Sequence, residues 1–226
     1  MADYAAQLIL ELVCAIPKIS KISVCLSGGN TPRALYQKLA APSYASQIPW
    51  KNIHWFWGDE RYVPKDHPAS NYHMVADAML AHVPVPATNI HRMKTELATP
   101  EATALDYEQI LQREYGSKTL EKNRLIFQIT FLGLGTDGHT ASLFPGTQAL
   151  QEHSRWVTSI KGVKDEPRIT LTFPILDSSK HVIFLVTGED KREILRRFLN
   201  RDPALPAVHI KPAGRLYVIA DKAAYP

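Results

Sequence analysis

The 226-residue sequence predicts an α/β protein, a three-layer α/β/α sandwich built on a mostly parallel sheet. Three observations carry that prediction. Continuous apolar, β-favouring runs recur along the chain, helical patterns lie between them, and glycine with polar or charged residues follows run after run. A strand that is apolar on both faces has to be covered on both faces, and helices crossing back between parallel strands supply that cover.

The elements follow in order. "MADYAAQLILELVCAIPK" has Asp3 and no early basic residue, so it reads as an amphipathic helix and not as a signal peptide. "KISVCL" (21–26) is a buried strand ending at Ser27-Gly28-Gly29, and "TPRALYQKLAA" (31–41) is a helix with Pro32 in its tolerant first turn. "NIHWFW" (52–57) is the second strand; 69–83 is a helix with Ser70 or Asn71 as cap. A helix over 98–116 begins near Thr99-Pro100 and stops at Gly116. "LIFQITFLGLG" (125–135) is the longest strand signal. "RITLTF" (168–173), "HVIFLVTG" (181–188) and "RLYVIAD" (215–221) are further strands, and 190–200 is a helix capped by Glu189 or Asp190. The Pro-containing stretches 44–52 and 83–92 read as loops too short to be linkers, so residues 1–226 are expected to form a single domain.

Hydrophobic residues make up 45% of the chain, charged residues 21%, and the formal net charge is +4. The basic residues are scattered among acids, and "DKREILRRFLNR" reads as one solvated helix face. A nucleic-acid partner would want a basic stripe with interleaved exposed aromatics. No apolar run approaches the ~18 residues a membrane span needs. Cys14 and Cys25 are too few for a disulfide framework and read as small core residues in a cytoplasmic protein. Metal binding is not expected, because no histidine–acid pair has a third ligand at a recognisable spacing.

In open α/β sheets ligands bind beyond the carboxyl ends of the strands. The exits here are "SGGNTP", "GDERYVP", "GLGTDGHTASLFPG" and "TGEDK". In the first, glycines allow close backbone approach and a helix N-terminus offers free N–H groups to an anion. Ser27, Gly28, Gly29, Asn30 and Thr31 form this candidate phosphate loop, although a plain tight turn capped by Thr31 fits equally well. In the second, Asp59, Glu60 and Arg61 are adjacent charges that need solvent or partners. In the third, Asp137 lies two residues before His139, a residue type whose titration near neutrality suits proton transfer. Arg168 at a strand start and Lys191 at a strand-to-helix junction are candidate phosphate partners.

Taken together and in order, "LSGGNTP", "WGDERYVPKDHPASNYHM", "FLGLGTDGHTASLFPGT", "PRITLTFPIL", "VTGEDKREIL" and "LPAVHIKPAGRLYVIADKAA" resemble the glucosamine-6-phosphate isomerase/6-phosphogluconolactonase family, on its lactonase side. The resemblance runs from about residue 24 to the C-terminus. Asn30 stands where that family usually has serine. The resemblance implies a Rossmann-like sheet of the glucosamine-6-phosphate deaminase type and hydrolysis of a sugar-phosphate lactone without cofactor or metal. It implies His139 as catalytic base, with Asp137, Asp59 and Arg61 in the active-site cleft. Ser27 to Thr31, Arg168 and Lys191 would hold the substrate phosphate. A monomer or weak homo-oligomer is expected, with the small sugar phosphate as its only partner. Two rivals remain. An amino-sugar-phosphate isomerase or deaminase would carry a carboxylate in an "F-N-E-P"-like segment, where this chain has Phe144. A non-catalytic sugar-phosphate sensor would bind without turnover.

Overall fold

A computed structural model describes residues 1–17 and 20–226; Lys18, the last residue of the N-terminal stretch quoted above, lies outside the described residues. The elements in chain order are α1 (Ala2–Cys14), β1 (Ile22–Leu26), α2 (Asn30–Ala40), α3 (Pro42–Ala45), β2 (Ile53–Trp57), β3 (Asp59–Arg61), α4 (Asn71–Ala78) and β4 (Ile90–His91). They continue with α5 (Pro100–Tyr115), β5 (Phe127–Gly133), β6 (Val157–Ile160), β7 (Arg168–Leu171), α6 (Phe173–Asp177), β8 (Ser179–Val186), α7 (Arg192–Leu199) and β9 (Arg215–Ala220).

Six strands form one parallel sheet in the order β4-β2-β1-β5-β8-β9, flanked by helices. All five residues of β1 are buried, as its unbroken apolar run requires of a strand covered on both faces. From β1 the chain builds outward through β2 to β4, then returns to place β5 on the other side of β1. The gap between β1 and β5 is therefore the point where strand order reverses, the place where such sheets bind ligands. Two buried tyrosines fix the backbone where the central ladder stops. Tyr36 exchanges hydrogen bonds with Ser27 at the exit of β1, donating to its carbonyl and accepting from its N–H. Tyr107 does the same with Trp57 at the exit of β2.

A second, antiparallel sheet of order β3-β7-β6 lies beyond. It was not expected: "RITLTF" belongs to this sheet rather than to the parallel one, and ends early because Pro174 starts α6 in its first turn. The 83–92 stretch, read as a loop, contains the edge strand β4. The helix expected over 69–83 covers Asn71–Ala78, followed by a separate 3₁₀ turn at Leu80–His82. Its cap is Ser70, which accepts from His73 N–H, and Thr99 caps α5 in the same way. Neither Glu189 nor Asp190 caps the helix expected over 190–200: α7 has Lys191 at its N-cap, with no side-chain bond, behind a 3₁₀ turn at Glu189–Lys191 that starts from Gly188 at φ 100°. Cys25 is buried as expected, whereas Cys14 is exposed.

Candidate active site

The exits of β1, β2, β5 and β8 converge on one cavity of about 460 Å³. From β1 come Ser27 to Thr31. Gly29 at φ 104° is the N-cap of α2, and no side chain caps this helix. Its amino-terminal turn and positive dipole end therefore line the cavity with no side-chain cap of their own. This decides against Thr31 as a cap. Thr31 Oγ1 instead lies 2.5 Å from Thr187 Oγ1 at the exit of β8. Lys191 lines the same wall, its ammonium 3.7 Å from Asp190. Gly28 is required by contact: a Cβ there would lie 1.8 Å from Asn71 Oδ1.

From β5 come Gly133, Leu134, Gly135 and, after the turn, His139. The turn is closed by backbone bonds from Gly135 N–H to His139 C=O and from Gly138 N–H to Gly135 C=O, both 2.9 Å. Asp137 Oδ1 accepts from the His139 backbone N–H at 3.1 Å and lies 2.5 Å from ring Nδ1. The carboxylate stands behind the ring and leaves Nε2 as the atom with a free lone pair. Burial raises the Asp137 carboxyl, but the bonds from the His139 ring and backbone outweigh it and hold it below its ordinary value. The other face of the imidazole packs on Phe144, ring centroids 4.5 Å apart. That is the position where an isomerase would carry its additional acid.

From β2 come Asp59 and Arg61, separated by the alternation of β3 from Glu60. Asp59 does not touch the His139 ring. Its carboxylate accepts from Ser142 Oγ at 2.7 Å and Asn71 Nδ2 at 3.2 Å, tying the histidine loop to α4. Glu60 points the other way, into the N-terminus of α4. There it accepts from Arg61, Asn71 and Tyr72 N–H groups and from Ser70 Oγ, at 2.7 to 3.0 Å. These charges, readable in isolation as a surface cluster, are thus mostly buried and partnered; Glu60 is 2% exposed. Arg61 donates to Ala69 C=O at 2.7 Å and lines the cavity.

Arg168 is placed differently from the other candidates. It lies opposite Arg61 in the β3–β7 ladder, pairs with Glu166 at 3.1 Å and does not line the cavity. Asn71, Thr187 and Ser142 belong to the site and were not singled out. All three sit inside the quoted motifs "SNYHM", "VTGEDK" and "GHTASLFPG", so the signal is there; that Ser142 serves Asp59 is seen only in the folded chain.

An uncapped helix N-terminus, a lysine and a carboxylate-held imidazole gather where the strand order of a parallel sheet reverses; this is an α/β enzyme fold whose cavity carries groups chemically suited to an anion and to proton transfer. The chain belongs to the glucosamine-6-phosphate isomerase/6-phosphogluconolactonase family, whose profile matches residues 1–218. It is 42% identical over 221 residues to the 6-phosphogluconolactonase of Nostoc sp., spanning 96% of this chain and 89% of that protein. It is also 42% identical over 232 residues to that of Synechocystis sp., spanning 96% and 93%. Among solved structures, the 6-phosphogluconolactonase from Thermotoga maritima superposes with a TM-score of 0.83 at 31% identity, covering 97% of this chain and 95% of that one.

Proposed function

We propose that the protein hydrolyses 6-phospho-D-glucono-1,5-lactone to 6-phospho-D-gluconate in the oxidative pentose phosphate pathway. The observation that carries the reading is that one cavity is lined by His139, by Lys191 and by the glycine turn at the start of α2. A proton-moving group and an anion cradle therefore face the same substrate-sized space.

The lactone phosphate sits on Ser27, Gly28, Gly29, Asn30 and Thr31, with Lys191 supplying a point charge. This leaves the ring ester beside His139. Nε2 takes a proton from water as the water oxygen bonds to C1. Asp137, on Nδ1, fixes the tautomer and offsets the imidazolium charge. The tetrahedral oxyanion is met by Arg61. Collapse breaks the bond from C1 to the ring oxygen, which takes the proton back from His139, leaving a free carboxylic acid that ionises. Asp59 positions the histidine loop through Ser142. No step calls on a cofactor. Phe144 in place of an acid argues against ring-opening isomerisation, which needs a further carboxylate to move protons. A cytoplasmic location, supported by two cysteines that are both free, and a monomeric or weakly associating state are part of the same proposal.

The test is a coupled assay on freshly generated lactone, corrected for spontaneous opening. His139→Ala is expected to lose ~10²–10⁴-fold in kcat while still folding and binding phosphogluconate; near-normal turnover would remove His139 from the role. Lys191→Ala is expected to raise KM with little change in kcat. Arg168→Ala decides whether Arg168, held by Glu166 outside the cavity wall, reaches the phosphate: an unchanged KM would take it out of the anion site.

A further inference from the structure

At the β2–β4 edge of the parallel sheet, outside the cavity described above, three side chains from three elements meet. His54 projects from β2, His91 from the edge strand β4 and Glu114 from the last turn of α5. His54 Nδ1 lies 2.9 Å from His91 Nε2, and Glu114 Oε2 lies 3.7 Å from the first and 3.9 Å from the second. None of the three lines the active-site cavity. We infer that His54, His91 and Glu114 form a binding site for a divalent transition metal, with Zn²⁺ as its best-fitting ion.

The geometry suits that ion. A triangle with these three sides has a point about 2.1 Å from every corner, the Zn–N and Zn–O bond length. Two imidazoles and one carboxylate are a donor set that zinc accepts, with a fourth position left to water, whereas Mg²⁺ and Ca²⁺ ask for oxygen cages. The rings are held in place, their facing nitrogens sharing a hydrogen bond that the metal replaces as the bridging proton moves to the far nitrogen of its own ring. They lie within 12° of parallel, and His91 is stacked on Phe56 with centroids 4.5 Å apart.

The same carboxylate oxygen also meets a cation of the chain itself, the Lys21 ammonium. Zinc therefore competes with Lys21 for Glu114 Oε2, and removing that ammonium tightens the site. Occupancy joins the two-residue strand β4, held to the sheet by its pairing with β2, to α5. A ligand that binds only the folded chain raises its stability.

The experiment is equilibrium dialysis of the chelator-treated full-length protein against Zn²⁺, with bound metal measured by mass spectrometry and Tm recorded with and without the ion. One zinc per chain is expected, with a rise in Tm. His91→Ala and the shape-preserving Glu114→Gln should lose the zinc and the rise, Lys21→Met should bind it more tightly, and His139→Ala should keep it. Should His91→Ala fail to fold, Glu114→Gln alone decides. Absence of stoichiometric zinc in the unaltered protein, retention in Glu114→Gln, or loss in His139→Ala would overturn the assignment.

Discussion

Two of the glycines in the active-site turns do different work from the others, and their environment makes this measurable. A Cβ on Gly135 would lie 2.0 Å from His139 Nδ1 and 2.7 Å from Asp137 Oδ1, so no side chain fits without separating the pair. Gly135→Ala should therefore leave the backbone fold in place and still disable catalysis. Relaxation of His139 by an ångström or more is expected to lower kcat about 10²-fold, since misplacement on that scale carries a penalty of that order. Steady-state kinetics beside a circular dichroism spectrum check this; a variant with normal kcat would mean that the ring can turn aside without loss. Gly28 plays the corresponding part for Asn71, which in turn holds Asp59. The glycine density of "GLGTDGHTASLFPG" signals a special turn in the sequence, and the Asp137/His139 spacing signals a proton-moving pair. The close approach that makes Gly135 irreplaceable is visible only when the turn has folded back on itself.

Among the elements, those set by local chemistry could be read from the sequence and those set by distant pairing could not. Helix α5 begins at its Thr99 cap and ends at Gly116, φ 82°, because both signals are local. The apolar strands β1, β2, β5, β8 and β9 lie within two residues of their expected bounds. By contrast β3 is "DER", a segment with no strand propensity of its own. It is extended because Asp59, Glu60 and Arg61 pair with Thr170, Ile169 and Arg168, more than a hundred residues away. Strand β4, two residues long, likewise owes its extension to its pairing with β2, whereas β6 is a short antiparallel partner of the neighbouring β7 whose segment carries no strong apolar run of its own. His54, His91 and Glu114 belong to this group, brought together by pairing and packing across sixty residues and not by spacing. The junction of β3 with α4 offers a direct test. Four donors converge on the two oxygens of Glu60, and Glu60→Gln would turn an NH₂ group toward two of them. A destabilisation of about 2–4 kcal/mol is expected from buried donors left without acceptors. A loss of kcat/KM should accompany it, because Arg61 and Asn71 ride on this junction. Urea denaturation reads the first effect; an unchanged midpoint would mean that the carboxylate is dispensable there.

For the molecule as a whole, the site exists only when four strand exits between residues 27 and 191 are assembled, so global stability sets how much functional protein there is. A partly buried carboxyl can work against that stability at neutral pH. Asp177, at the end of α6, is raised by burial from 3.8 to about 6, with the Lys211 backbone N–H at 2.7 Å only partly offsetting the effect. A carboxyl whose folded value lies above its unfolded one favours the native state only while it is protonated. Below pH 4 both states hold the proton and the group is neutral to stability. Between 4 and 6 the unfolded chain releases it first, and the native state loses ground; above 6 the loss is complete and constant. Asparagine does not titrate, and its carbonyl can still accept from Lys211 N–H. Asp177→Asn is therefore expected to be more stable than the unaltered protein at pH 7 by roughly 1–2 kcal/mol, less than the full shift converts to because the carboxyl is partly exposed. In a chain of this length that corresponds to a Tm about 3–6 °C higher. The two Tm curves should converge as the pH falls to 4. Calorimetry at pH 4, 5.5 and 7 follows the convergence. Equal Tm values at pH 7 would show that the native state stabilises the Asp177 anion after all, and a constant gap across the range would trace the gain to packing instead of ionisation.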